Sequence, residues 1–317
     1  MSGNWHEREE GGTRGVIAFS VALVLRIGRP MARVLLAPSA LYFFLRRSGE
    51  RHGSRLFLTR LFGRPARWWE MLRHIHTYSA TMLDRAFLLS ESFRRFDIRI
   101  EGLDQLHAAM DHGRGVLLLG AHIGSFEVLR TLGEQRPDVP IRVVMDRQQT
   151  RFMTEALHAL NPSIANNIID AGADPSALAL AIHDAARGGA LIGLLADRAR
   201  PGEAVHAVEF FGEPAEFPVA PYLLASLLDL PVVLAFGLYR GGNRYDLYFE
   251  AFADRLKLER ATRALQLGEW TQRYAARLEH YTRLAPYNWF NLYDFWHRRA
   301  DPGAARREPA AALRADA

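Results

Sequence analysis

The sequence predicts an α/β protein with a mostly parallel central sheet flanked by helices, preceded by an N-terminal membrane-associated helical segment. Two observations support this fold class. After about residue 100, short apolar runs alternate with helical patterns at short spacing, which is typical of β-α units. Before that point, arginine and apolar side chains dominate. With 317 residues, 49% of them hydrophobic, the chain is long enough to bury one large core. We predict three parts: the N-terminal segment 1–75, the main domain 76–300, and a disordered tail 301–317.

The N-terminal segment is strongly basic. Between Thr13 and His74 the only acidic residues are Glu50 and Glu70, and they face a run of arginines: Arg14, Arg26, Arg29, Arg33, Arg46, Arg47, Arg51, Arg55, Arg60, Arg64, Arg67 and Arg73. The apolar stretches "VIAFSVALVL" and "VLLAPSALYFFL" fall short of the roughly 18 to 20 residues of a spanning helix. We therefore predict helices lying on an anionic membrane surface. The alternative is a helical pair packed on its own domain. A nucleic-acid-binding arm is disfavoured by the Leu, Val and Phe content.

The elements of the main domain follow in order. Strands are predicted at "GVLLLGA", "IRVVMD", "NNIIDA", "ALIGLLAD", "PVVLAFGLYR" and "RYDLYFEAF", and helices at 103–110, 126–132, 150–160, 175–187, 218–228 and 258–283. The last two strands flank "GGN", the signature of a hairpin and hence of an antiparallel pair.

Charged or titratable residues directly follow three of the predicted strands. His122 follows the first strand, Asp146 and Arg147 follow the second, and Asp197 and Arg198 follow "ALIGLLA". In open α/β sheets, sites collect where the strands end. The sequence therefore predicts one rim that carries these residues, although ordinary surface ion pairs remain the alternative.

Several kinds of site are excluded or unsupported. Cysteine is absent, which excludes disulfides, thiolate zinc sites and a cysteine nucleophile. No phosphate-binding loop, G-x-G-x-x-G, G-x-S-x-G or H-E-x-x-H motif is present. We therefore expect no cofactor and no metal.

The stretch "VLLLGAHIGSFEVLR" carries the strongest candidate for catalysis. If the strand ends at Gly120 and a helix begins near Ser125, then His122 and Glu127 can meet. A carboxylate against an imidazole fixes its tautomer and stabilises the imidazolium. Such a pair can deprotonate a hydroxyl that attacks an acyl carbonyl. A purely structural histidine is the alternative.

These residues resemble a known family. "HIGSFE" matches the H-x-x-x-x-[DE] motif of the lysophospholipid acyltransferase superfamily. It is similar to the H-x-G-x-W-E motif of the late acyltransferases of bacterial lipid A biosynthesis. The segments "IGRP", "EGLDQL", "GRGVLLLGAH", "LLAD", "VEFFGEPAEFPVAPYLLASLLDLPVV" and "PYNWF" also occur in family order. The resemblance covers roughly residues 15–297.

The resemblance implies an acyltransferase on the cytoplasmic face of the bacterial inner membrane, with His122 as general base and Glu127 orienting it. It places the following residues at the substrate: Ile123, Gly124, Ser125, Arg147, Asp197 and Arg198. Three positions depart from the family pattern. Phe126 replaces a tryptophan, "ADRA" keeps only the aspartate Asp197, and Asn288 stands where glutamine is usual.

The resemblance implies an acyl carrier protein thioester as donor, with acyl-CoA also possible, and a lipid or glycolipid acceptor. The departures leave the acceptor open between a lipid A precursor and another lipid-linked product, such as an aryl polyene lipid. Two further functions remain open. One is an acyl thioesterase, in which His122 activates water. The other is a non-catalytic membrane lipid-binding protein. No nucleic-acid partner is expected.

Overall fold

The main domain is built on a seven-stranded, mostly parallel sheet flanked by helices, as the sequence predicts. A computed structural model describes residues 23–88, 94–111, 113–129, 139–146, 167–172, 174–200 and 202–296. Within these ranges the helices are α1 Arg29–Arg46, α2 Ser48–Phe62, α3 Trp68–Leu88, α4 Leu103–Met110, α5 Pro175–Arg187, α6 Ala220–Leu227 and α7 Arg263–Leu284. The strands are β1 Asp97–Glu101, β2 Val116–Gly120, β3 Ile141–Met145, β4 Ile168–Asp170, β5 Leu191–Leu195, β6 Val205–Phe210, β7 Glu213–Pro218, β8 Val232–Gly241 and β9 Arg244–Ala253.

The strand order in the large sheet is β1-β9-β8-β2-β5-β3-β4. Strands β8, β2, β5, β3 and β4 run parallel to one another. The hairpin predicted at "GGN" is confirmed, because β9 returns antiparallel to β8. Strand β1 then pairs parallel to β9 at the edge. The central position of β2 explains its wholly apolar sequence, since a central parallel strand is covered on both faces.

The side chains of β2 belong to two separate hydrophobic clusters. Leu117 and Leu119 pack in one cluster, whereas Val116 and Leu118 pack in the other. Successive side chains of a strand point to opposite faces, so the sheet separates two layers of core. All five residues of β2 are buried, and its carboxyl end therefore has a fixed position.

Some elements differ from the sequence predictions. The helix expected at 126–132 is a 3-10 helix, Phe126–Leu129, as far as the described residues extend. The last helix begins at Arg263 instead of 258. The helix expected at 150–160 lies outside the described residues, as does the tail 301–317. Strand β1 and the β6–β7 hairpin had not been predicted. The two turn residues of that hairpin, Phe211 and Gly212, have positive φ angles of 52° and 78°. Such turns usually carry Asn, Asp or Gly at the first of these positions, so a phenylalanine there did not indicate a hairpin.

The helix α1 is attached to the main domain through a buried carboxylate. Asp84, fully buried on α3, accepts hydrogen bonds from Arg29 Nε at 2.8 Å and from Arg33 Nη2 at 2.6 Å. The hydroxyl of Tyr245 on β9 donates to the same carboxylate at 3.0 Å. Across the described residues, no helix combines the length and apolar character needed to cross a bilayer. The inner face of α1 therefore packs on its own domain, and its outer face remains exposed.

Candidate active site

The register of the central strands brings His122 and Asp197 together. Gly120 of β2 lies opposite Leu195 of β5, and the amide of Ala196 continues the ladder by donating to the Gly120 carbonyl at 3.0 Å. His122 and Asp197 each follow their strand by two residues, so they lie opposite each other at the carboxyl edge. Of the residues predicted to share one rim, His122 and Asp197 therefore do lie together.

The Asp197 carboxylate is fully buried and accepts three hydrogen bonds. Oδ1 accepts from the backbone N–H of His122 at 3.1 Å and from its Nδ1 at 2.8 Å. Oδ2 accepts from the indole Nε1 of Trp289 at 3.1 Å. Because an ionised carboxylate only accepts, the Nδ1 of His122 carries the proton. The Nε2 atom therefore has a free lone pair whenever the ring is neutral.

The turn that carries His122 is fixed by backbone hydrogen bonds on both sides. The amide of Gly124 donates to the carbonyl of Asn288 at 2.9 Å, and that of Ser125 donates to the carbonyl of Gly237 on β8 at 2.8 Å. The amide of Phe290 donates to the His122 carbonyl at 2.8 Å. The imidazole is thus mounted on a rigid segment.

The structure places Glu127 in a different set of contacts from the predicted dyad. Its Oε2 accepts from the Ser125 hydroxyl at 2.7 Å, and its Oε1 forms an ion pair with Arg85 of α3. The Nδ1 of His122 is already bound by Asp197. The spacing of five residues therefore puts both groups near the turn, but each one has its own partner.

The electrostatics of the site favour a neutral imidazole beside an ionised carboxylate. Burial lowers the pKa of His122 and the Arg198 guanidinium lowers it further, while Asp197 opposes both. Burial alone would raise the pKa of Asp197, but the His122 and Arg198 side chains and the Trp289 hydrogen bond bring it well below its usual range. The His122 side chain is 36% exposed, so a reacting group can reach it.

The other predicted site residues occupy several positions. Arg198 lies beside Asp197, with Nε 3.7 Å from Oδ2, and its Nη2 donates to the Phe290 carbonyl at 2.5 Å. Ile123 and Ser125 are buried. Arg147 lies outside the described residues. Within the ranges that the structure describes, no group of three or more His, Asp or Glu residues is arranged to hold a metal ion.

Sequence reasoning missed the contribution of Trp289. Its ring packs against Phe57 and Phe210, with centroids at 5.0 and 5.2 Å. Its carbonyl accepts from Nε2 of His74 at 2.9 Å, and Nδ1 of His74 accepts from the Ser54 hydroxyl at 2.9 Å. The family-like "NWF" marked this position, but no local pattern connects it to a carboxylate 92 residues away.

The aromatic segment "PYNWFNLYDFW" closes the core. Its Trp289, Phe290, Phe295 and Trp296 are all buried. These four rings therefore form part of the hydrophobic core.

A partly exposed histidine at the carboxyl edge of a parallel sheet, held through Nδ1 by a buried carboxylate, is suited to general-base chemistry on an acyl group. The family model of the bacterial lipid A biosynthesis acyltransferases matches residues 20–298. The chain therefore belongs to that family and is an acyltransferase. No curated protein matches it.

Proposed function

We propose that this protein transfers a fatty acyl group from an acyl carrier protein thioester to a hydroxyl of a lipid or glycolipid acceptor. In this proposal His122 is the general base. The observation that carries the proposal is the hydrogen bond from His122 Nδ1 to buried Asp197, which leaves Nε2 as the basic nitrogen of a side chain that is 36% exposed. The acceptor is of the lipid A type or another lipid-linked product.

The reaction needs no covalent enzyme intermediate. Nε2 of His122 takes the proton of the acceptor hydroxyl while the oxygen of that hydroxyl attacks the carbonyl carbon of the thioester. The carbon–sulfur bond then breaks, and the imidazolium returns the proton to the leaving thiolate. Asp197, ionised throughout, stabilises the imidazolium between these steps. The lowered pKa of His122 supports this mechanism, because a base must begin unprotonated.

Substitution of His122 tests the chemistry directly. His122→Ala should lower the rate of acyl transfer by at least about a hundredfold, measured with an acyl carrier protein thioester and a lipid acceptor. Near-normal transfer by a folded His122→Ala protein would refute the mechanism. The ratio of acylated lipid to free fatty acid separates a transferase from a thioesterase.

The net charge of the chain favours encounter with an acidic carrier protein. The net charge is +5 and the sequence pI about 9.7, so long-range attraction should accelerate encounter with an acidic partner. The initial rate with the carrier protein donor should therefore fall steeply between low and physiological salt. A matching dependence with acyl-CoA would remove this argument for the carrier protein.

We further propose that the outer face of α1 binds the cytoplasmic face of the bacterial inner membrane. At 100° per residue, α1 directs one set of side chains away from the domain: Met31, Val34, Leu35, Leu41, Tyr42 and Leu45, all exposed. Its buried side chains, Ala32 and Ala40, lie on the opposite face. An exposed face of six apolar residues on one helix supports insertion into lipid.

Electrostatic attraction has a smaller part in this attachment than the arginine count suggests. Several of the arginines are engaged within the chain: Arg29 and Arg33 bind Asp84, Arg60 pairs with Glu213, and Arg64 pairs with Glu70. High salt alone should therefore release only a fraction of the protein from anionic vesicles.

Substitutions on the outer face test the attachment better than a deletion. Removing α1 would leave Asp84 buried without its arginines, and the domain would be destabilised. The variant V34S/L35S/L45S keeps that contact and removes three apolar side chains; Val34 is 66% and Leu45 65% exposed. It should move into the supernatant when anionic vesicles are pelleted.

The variant L180S/L227S/L265S is the matched control, because it also removes three exposed apolar side chains. Leu180 on α5 is 60% exposed, Leu227 on α6 is 72% exposed and Leu265 on α7 is 65% exposed. The control should pellet with the vesicles like the unsubstituted protein. Equal pelleting of the α1 variant and the control would contradict the proposal.

A further inference from the structure

We propose that Asp197, not Glu127, is the positioning residue for His122, and that Trp289 fixes the Asp197 carboxylate in turn. This inference rests on the proposed function, since it concerns the same base. The motif spacing alone assigns the orienting carboxylate to Glu127. The contacts of the described residues assign it to a side chain 75 residues further along.

One oxygen of Asp197 holds two donors of the same residue. Oδ1 accepts from both the backbone N–H and the Nδ1 of His122, at 3.1 and 2.8 Å. This double contact fixes the ring relative to its own backbone and leaves one tautomer. An imidazole held in this way always presents Nε2 to the acyl acceptor.

The second oxygen of Asp197, Oδ2, is bound by Trp289, whose side chain is restricted by tight packing. The indole N–H of Trp289 only donates, and it reaches Oδ2 at 3.1 Å. The Trp289 ring is fully buried and packs edge-on against Phe57 and Phe295, both with centroids at 5.0 Å. Its backbone is also bound, through His74. Both oxygens of Asp197 therefore have fixed partners.

The carboxylate of Glu127 is engaged elsewhere. It accepts from the Ser125 hydroxyl and forms an ion pair with Arg85. Although burial raises the pKa of Glu127, Arg85 and Ser125 lower it below its usual range. We therefore infer that Glu127 holds the turn and positions Arg85, since its hydrogen bond and ion pair go to Ser125 and Arg85 and not to the imidazole.

The tautomer of His122 in the unsubstituted protein is the first test, and it needs no variant. In protein labelled with nitrogen-15 at histidine, the His122 resonances are those missing from His122→Ala. Above the pKa of the ring, we expect Nδ1 to be protonated and Nε2 to be unprotonated, with the Nδ1 proton shifted downfield by the carboxylate. A ring protonated at Nε2 would overturn the proposal.

Two isosteric variants then separate the carboxylates. Asp197→Asn removes the charge and should move the Nδ1 proton resonance upfield and lower kcat by at least about a hundredfold, with a smaller change in KM. Glu127→Gln should leave the His122 tautomer and the Nδ1 proton resonance in place, whatever its effect on rate. A resonance that responds to Glu127→Gln and not to Asp197→Asn would overturn the proposal. Loss of activity in His122→Ala would still uphold the proposed function in that case.

The contribution of Trp289 is tested by a double-mutant cycle. In the Asp197→Asn variant, the side-chain amide can keep its oxygen towards the two N–H donors of His122. Its NH₂ group then faces the indole N–H of Trp289, so that two hydrogen-bond donors point at each other. Trp289→Phe removes that conflict, whereas in the unsubstituted background it removes a hydrogen bond. Both backgrounds lose the same ring area. Trp289→Phe should therefore lower kcat less in the Asp197→Asn background, and equal fold-changes would overturn the part assigned to Trp289.

Discussion

Gly124 in the His122 turn should be one of the least replaceable glycines of the described structure. Its φ is +58°, and a Cβ added there would lie 1.9 Å from the carbonyl oxygen of Gly237 on β8. Gly124→Ala therefore meets two separate obstacles: a left-handed backbone that disfavours any side chain, and a direct overlap with a strand. We expect it to destabilise the protein and displace His122.

The chain supplies a control for each obstacle. Gly63 has φ +63° and nothing within 4 Å of an added Cβ, so Gly63→Ala measures the backbone cost alone. At Gly237 an added Cβ would lie 2.2 Å from the Ser125 carbonyl oxygen, in a strand of ordinary φ, so Gly237→Ala measures the overlap alone. The backbone cost is about 1–2 kcal/mol and the overlap about 1–3 kcal/mol. Gly124→Ala should therefore cost about 2–5 kcal/mol.

Urea unfolding of the three variants measures these costs. The smaller conformational entropy of the unfolded chain after a Gly→Ala change offsets about 0.4–1 kcal/mol in each variant. This offset cancels between Gly124→Ala and Gly63→Ala, but the cost measured for Gly237→Ala still contains it. Gly124→Ala should therefore exceed Gly63→Ala by roughly the cost found for Gly237→Ala plus that offset. The rate of acyl transfer per folded molecule should also fall in Gly124→Ala and Gly237→Ala, but not in Gly63→Ala. If Gly124→Ala unfolds at the same urea concentration as Gly63→Ala, the overlap argument is refuted.

Two further predictions concern buried polar groups away from the sheet edge. Asp84→Asn leaves Arg29 and Arg33 without a carboxylate, and it should cost about 3–5 kcal/mol and make α1 more sensitive to proteolysis. Glu50→Gln, at the partly exposed ion pair with Arg47, should cost less than about 1 kcal/mol. Equal proteolysis of the two variants would argue against Asp84 as the attachment of α1. Burial lowers the pKa of His74 from 6.5 to about 4, so the unfolded state binds the proton more readily than the folded state. The free energy of unfolding should therefore be highest above pH 6.5 and should decline by about 3 kcal/mol as the pH falls to 4. Urea unfolding at pH 7 and pH 4.5 should show a smaller decline in His74→Gln, and an unchanged decline would mean that other groups cause it.

Local sequence patterns were sufficient to predict the sheet and to place His122 and Asp197 at the same edge of it. The apolar run before His122 and the run before Asp197 each identified a strand, and the rule that sites lie at strand ends placed both residues on one edge. The structure confirms that they meet, because β2 and β5 are neighbours in register. The strand order that makes β2 and β5 neighbours was not predicted from the sequence.

The pairing of carboxylate and imidazole could not be obtained from spacing. Glu127, five residues from His122, satisfies the same motif whether it contacts the ring or an arginine from another helix. Arg85 and Trp289 come from distant parts of the chain, and nothing in their local sequence indicates where they fold. The attachment of α1 was hidden for the same reason, because Asp84 follows the arginines by about fifty residues.

The late position of Trp289 in the chain has a consequence for biosynthesis. Domains form as the chain emerges, N-terminal parts first, so the imidazole and Asp197 leave the ribosome long before the indole that completes their site. A nascent chain that has reached α7 already carries the whole large sheet but lacks the bridge between Ile123 and Trp289. We expect such a chain, or a product of premature termination there, to fold loosely and turn over no thioester. Synthesis would then release activity only with a nearly finished molecule.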